Sequence, residues 1–184
     1  MRSWKEAESV APRYTVSVDD QRIVELRAAH TAREECVVRW GEICAWSRSA
    51  ETKQSLPAIV FATTTSPFYQ ASVNANASGI DVLLDALARR ALPEISLESV
   101  REQVAWRQRV KVDEVLERRF TPAERSAVRA AFASNPEFAS PYVQLATLNL
   151  AGSDVERIRR TARGPIDDWT EFLNAAHQKG WGDI

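Results

Sequence analysis

The sequence predicts an α+β protein that is mainly α, with a small N-terminal β-sheet and a C-terminal multi-helix lobe. Three observations carry that expectation. From Ser96 onward the chain is punctuated by residues that satisfy, or avoid, the unpaired backbone groups at helix ends. Thr121-Pro122-Ala123-Glu124 spells a capping box with proline at the first helical position, Ser140-Pro141 opens another helix, Gly152 closes it, and Ser153-Asp154 caps the next. Arg13 to Val18 alternates polar and apolar, the period of a half-exposed strand. Ala58 to Thr65 is β-branched and apolar, and Phe68 to Val73 follows a Ser66-Pro67 break, so these read as two further strands, paired as a hairpin.

In chain order, a strand near 13–18 leads to Asp19 or Asp20, either of which is placed to cap a long helix over 20–48. Ile23, Leu26, His30, Arg33, Val37, Trp40 and Cys44 fall on one stripe at alternating steps of three and four, with a bend expected near Gly41. Strands near 58–65 and 68–73 follow, then a loop from Asn74 to Gly79. Ile80, Val82, Leu83, Leu84 and Leu87 mark a short apolar helix ending before Pro93. The composition divides near Leu92-Pro93 into an α/β lobe over 1–93 and a helical lobe over 94–184, unless the two merge into a single domain.

The helix over 97–119 has a main face of Leu97, Val100, Val104 and Val115, with Trp106 and Val110 pointing almost the opposite way. That geometry either sandwiches the helix inside the fold or turns Trp106 toward an interface. Gln108 to Val112 also alternates, leaving a local strand as an alternative there. The helix from Pro122 to Ala133 is alanine-rich, and Tyr142 to Leu150 carries no charge, the signature of a buried helix. Ile166, Trp169, Leu173 and Ala176 make a last amphipathic face.

Composition bounds the function classes. The chain has 184 residues, 45% hydrophobic and 27% charged, and at that length it buries roughly 70% of its unfolded surface without help from metals or disulfides. A formal net charge of −1 gives no global footprint for nucleic acid or membrane. The longest uncharged stretch, Gln54 to Ile80, is broken by Pro57, Pro67 and Gly79 and is full of Thr, Ser and Asn, so no membrane partner is expected. Met1 to Glu6 lacks the apolar core of a secretory signal, and Cys36 and Cys44, read as about two helical turns apart, stand too far apart for a disulfide. Reduced thiols in a cytoplasm follow. Of 24 basic residues 20 are arginine, which with the abundant alanine points to a GC-rich bacterial genome.

Catalytic signatures are sparse. The chain has no glycine-rich nucleotide loop, no G-x-S-x-G elbow and only two histidines. His30 and Glu34, one helical turn apart, are spaced to chelate a metal but lack a third ligand beyond His177 or a distant carboxylate. No metal, cofactor or catalytic residue is assigned. The chain is expected to be non-catalytic, with a cryptic carboxylate or metal site as the remaining enzymatic option.

Two binding readings stand. The segment 142–164 has the order of a helix-turn-helix, a buried helix, a glycine turn and a second helix bearing Arg157, Arg159, Arg160 and Arg163, residues suited to guanine or phosphate. Thr121-Pro122-Ala123-Glu124-Arg125 resembles the opening of a LuxR-type DNA-binding domain, which would imply a dimeric regulator using 154–164 as recognition helix. The segment between the two is several residues longer than in that family, and Ser134 to Ile184 nets −2, so membership is not assigned.

The second reading is favoured. Arg107, Arg109, Lys111, Arg118 and Arg119 gather in one helix around Trp106, and exposed tryptophan beside arginine is the pairing that dominates interface hot spots. Six tryptophans, at 4, 40, 46, 106, 169 and 181, are many for one core. The expected function is therefore a bacterial accessory protein, immunity- or antitoxin-like or a small complex subunit. Trp106, Val110, Arg107, Arg109 and Trp181 would meet another protein or a second copy of this chain, and an exposed strand edge from Gln54–Ile80 offers a further contact.

Overall fold

The computed structural model describes residues 13–28, 33–50, 56–65, 68–164, 169–182 and 184. The chain is α+β and mainly α, 55% helix against 23% strand. It forms two compact units, Met1–Thr63 with Gln70–Val100, and Thr64–Tyr69 with Arg101–Ile184.

The first unit holds two three-stranded antiparallel sheets rather than one. Strands β1 (Arg13–Val18), β2 (Arg22–Ala28) and β3 (Arg33–Arg39) lie in the order β1-β2-β3, and β4 (Ile43–Ser49), β5 (Ala58–Thr63) and β6 (Gln70–Asn74) in the order β4-β5-β6. Helix α1 (Ile80–Arg89) buries Leu83, Ala86 and Leu87 in the same core as Val16, Ile23, Val38, Trp40, Trp46, Ile59 and Phe61. Trp40 and Trp46 are fully integrated, because each indole N–H finds a carbonyl. Trp40 Nε1 donates to Asp19 O at 2.8 Å and Trp46 Nε1 to Leu92 O at 3.1 Å.

The long helix expected over 20–48 does not form. That stretch is β2, β3, a 3-10 turn at Trp40–Glu42, and β4. Asp19 explains the misreading. Its carboxylate accepts the N–H groups of Gln21 (2.7 Å) and Arg22 (2.8 Å), as a helix cap would, but closes the β1–β2 hairpin instead. The helical stripe would have buried Val37, whereas the strand alternation exposes it and buries Val38. Ile23, Val24, Val37, Val38 and Ile43 are β-branched, and that preference wins once partner strands are available. Cys36 and Cys44 consequently sit on strands of different sheets as free thiols.

Two of the four edge strands, β1 and β4, are paired by flanking segments. Ser78 pairs beside β1, with Val16 N donating to Ser78 O at 2.7 Å, and residues 93–95 pair beside β4 through Trp46 N to Pro93 O at 3.0 Å and Ile95 N to Trp46 O at 2.9 Å. Strand β5 is central, so the uncharged stretch contributes only β6 as an edge, and Asn74 N there donates to the Glu25 carboxylate at 2.6 Å.

The second unit is helical. Helix α2 (Leu97–Arg119) runs unbroken through Gln108–Val112, which excludes a strand there. It is followed by α3 (Pro122–Ala133), a 3-10 turn at Pro136–Ala139, α4 (Pro141–Ala151), α5 (Val155–Arg163) and α6 (Trp169–Lys179). The capping box is fully formed at Thr121, whose N–H and hydroxyl both donate to the Glu124 carboxylate, at 2.8 and 2.7 Å. Helix α4 is the hub, burying Val143, Leu145, Ala146, Thr147, Leu148 and Asn149. Around it close Val115, Leu116, Phe132, Phe138, Ile158 and Ala162, with the Phe132 and Phe138 rings stacked at 5.5 Å.

Candidate functional site

Helix α2 divides its circumference sharply. Val104, Val112, Val115 and Leu116 are buried, while Trp106 is 58% exposed and Val110 40% exposed. A large indole left that open is unusual for a residue whose burial is worth several kcal/mol. At about 100° per residue, Asp113 and Arg109 lie between Trp106 and the buried pair Leu116 and Val112.

Those same residues open onto a groove of about 420 Å³. Its floor is Val112, Leu116, Phe132, Phe138 and Pro141, and its polar rim is Arg109, Asp113, Arg129 and Gln144. Arg129 and Asp113 are paired across α3 and α2 at 2.8 Å. Gln144 Nε2 donates to Phe138 O at 2.6 Å, holding the 3-10 turn against α4. Arg109 is exposed and makes no ion pair with any described residue. Trp106 therefore lies on the flank of α2 next to Arg109 and Asp113, which line the groove, with Val110 exposed on its other side. Arg107 lies on the same helix, half-buried and already engaged.

Trp181 does not join that patch. It is half-buried in an aromatic cluster with Phe68 (5.7 Å), Tyr142 (6.1 Å) and His177 (5.7 Å), and its buried Nε1 has no hydrogen-bond partner among the described residues. Tyr142 Oη and His177 Nε2 are 3.1 Å apart, and His177 stacks on Phe68 at 5.0 Å. Burial pushes the Tyr142 hydroxyl pKa upward. No sequence signal points to this cluster, because its members come from positions 68, 142, 177 and 181.

The helix-turn-helix candidate is α4, a turn through Gly152–Asp154, and α5. Asp154 caps α5 by accepting Arg157 N at 2.9 Å, and α5 buries Ile158 and Ala162. Arg157, Arg160 and Arg163 are exposed on one face, whereas Arg159 is half-buried and pairs with Glu156 at 2.6 Å. His30, of the candidate metal pair, lies outside the described residues, and Glu34 falls on β3 instead of a helix. Trp4 and Ile166 also lie outside the described residues.

No protein-family model matches this chain, and no curated protein or solved structure matches it either.

Proposed function

We propose that this chain is a non-catalytic interaction module that holds a short segment of another protein, one bearing an apolar side chain next to a carboxylate. The observation that carries the reading is the exposed Trp106 beside an apolar groove. Covering the open part of the indole removes on the order of 100–150 Å² from water, about 3 kcal/mol at 25 cal per Å². The groove supplies the concave partner for an apolar anchor, and Arg109 at its rim supplies charge complementarity for a carboxylate, which favours orientation and encounter rate. Two free thiols are in keeping with a reducing compartment, so a bacterial cytoplasm is the location we propose. Among the described residues no helix is long and apolar enough to cross a membrane.

The test is selection from a phage-displayed library of random peptides on the immobilised chain. Enrichment of sequences pairing an apolar residue with Asp or Glu, binding lost on Trp106→Ala and weakened on Arg109→Glu, is the expected result. No enrichment, or enriched peptides indifferent to both substitutions, would reject the reading.

A second reading, duplex DNA binding through α5, is favoured by one observation, the exposure of Arg157, Arg160 and Arg163 on a single face. It expects a mobility shift that weakens steeply with salt and disappears on Arg157→Ala with Arg160→Ala. A chain that ignores duplex DNA at low salt removes this reading.

A further inference from the structure

We infer that the outer edge of β3 pairs with β3 of a second copy of this chain, joining two three-stranded sheets into one six-stranded sheet across a twofold axis at Val37. The first unit has four edge strands, β1, β3, β4 and β6. Ser78 pairs beside β1 and residues 93–95 beside β4. Side chains meet the outward groups of β6, where Asn74 N donates to the Glu25 carboxylate at 2.6 Å and the Cys36 thiol donates to Ser72 O at 3.8 Å. Only β3 is left with a bare edge among the described residues.

One contact sets the bonding phase of β3. Trp40 N donates to Gln21 O at 3.0 Å, and an antiparallel pair exchanges bonds at every second residue, so Val38 and Cys36 bond toward β2. The backbone groups of Glu35, Val37 and Arg39 therefore point outward. Among the described residues, the N–H and C=O of Val37 and the N–H of Arg39 meet no partner, while the Arg39 C=O opens the 3-10 turn at Trp40–Glu42. The β2–β3 register runs without a shift from Arg22↔Arg39 to Ala28↔Arg33, and the strand holds no proline. Bulges and prolines are the usual guards of an exposed edge, and β3 has neither.

The residues on this edge are complementary to themselves. With the twofold axis at Val37, the outward N–H and C=O of that residue exchange bonds with those of its copy, and Arg39 N–H reaches Glu35 C=O on both sides. The same register sets position 35, a glutamate, opposite position 39, an arginine, twice. Centring the axis on Cys36 would oppose Arg33 to Arg39, and centring it on Glu35 would oppose that residue to itself, so like charges disfavour both. Arg39 now reaches Glu42 at 3.7 Å with 76% of its side chain in water, a surface pair readily exchanged. Val37 is 43% exposed and lies across β2–β3 from the half-buried Val24. Pairing completes a row of Val24, Val37, Val37 and Val24 over the four central strands.

The experiment is sedimentation equilibrium of the full chain from about 5 to 500 μM, a range that spans small, weak interfaces. The expected result is a monomer–dimer equilibrium, weakened about tenfold or more in Val37→Lys, which sets two cations face to face. Arg39→Glu and Glu35→Arg should each weaken it as well, whereas an equimolar mixture of these two variants should associate again, because each then meets its opposite charge. Unchanged far-ultraviolet circular dichroism in the three variants separates lost pairing from lost fold. A chain that stays monomeric throughout, a dimer indifferent to Val37→Lys, or a mixture that fails to associate would overturn the pairing. Trp106→Ala should leave the dimer intact; a dimer that dissolves in that variant would also overturn it, by moving self-association to the second unit. The β3 edge and the peptide-binding patch thus stand or fall separately.

Discussion

Replacing Gly79 by alanine should be among the most damaging single-methyl changes available in the first unit. Gly79 sits at φ 89°, ψ 6° in front of α1, and a Cβ built there would meet the Val16 carbonyl oxygen at 2.2 Å. Left-handed backbone costs a residue with a side chain roughly 1–2 kcal/mol. Carbon and oxygen settle no closer than about 3.3 Å, so the chain must give by about 1 Å. The obstacle is backbone, not a side chain that rotates away, and the movement pulls on the bonds of Val16 N to Ser78 O (2.7 Å) and Ser78 N to Tyr14 O (3.0 Å). Losing both adds about 1 kcal/mol each, for a total of about 3–4 kcal/mol. At roughly 2–4 °C per kcal/mol for a chain of this length, the melting temperature should fall by about 10 °C. Urea unfolding followed by tryptophan fluorescence reads the change, with Gly41→Ala as control, since a Cβ at Gly41 meets nothing within 4 Å. A Gly79→Ala protein within about 0.5 kcal/mol of the parent would refute the reasoning, that being the range of an inert surface change.

Trp106→Ala should leave stability within about 1 kcal/mol of the parent, because more than half the residue is already in water, while Phe138→Ala, buried in the helical core, should cost about 3–5 kcal/mol. Equal losses in urea titrations would mean that Trp106 is a core residue after all. Thr121→Ala should cost about 1 kcal/mol by removing the cap of α3. The backbone N–H and then the hydroxyl of Thr121 hold the Glu124 carboxyl below its ordinary pKa of 4.5, so this contribution is present above that value and lost as pH falls through the lowered one. The stability gap between the parent and Glu124→Gln should therefore be constant near neutrality and close in acid; a gap that widens in acid contradicts the assignment. Burial, reinforced by Glu25, pushes the Cys36 thiol up, so iodoacetamide should label it more slowly in the native chain than in urea. Equal rates, read by mass spectrometry, would place it at an open surface.

The helical half was legible because caps and periodicity agree there. Thr121, Ser140-Pro141, Gly152 and Asp154 each mark the end they occupy in the fold. Between 20 and 48 the same local chemistry misled, since an Asp accepting two following N–H groups serves a hairpin as well as a helix. Only pairing with β1 and the order of the sheet resolve that ambiguity, and neither is a local property. Trp106 and Val110 were readable from helical angle alone. The groove beside them was not, because Phe132, Phe138 and Pro141 reach it from three separate elements.

The most direct test of the interaction reading is the indole N–H spectrum of chain labelled with ¹⁵N-tryptophan, titrated with the selected acidic-apolar peptide. Trp40 and Trp46 donate to Asp19 O and Leu92 O in the core and serve as internal references. The account predicts that the Trp106 resonance shifts to saturation while those of Trp40 and Trp46 stay fixed. A Trp106 signal unmoved at saturating peptide, or core signals that move in its place, would contradict it.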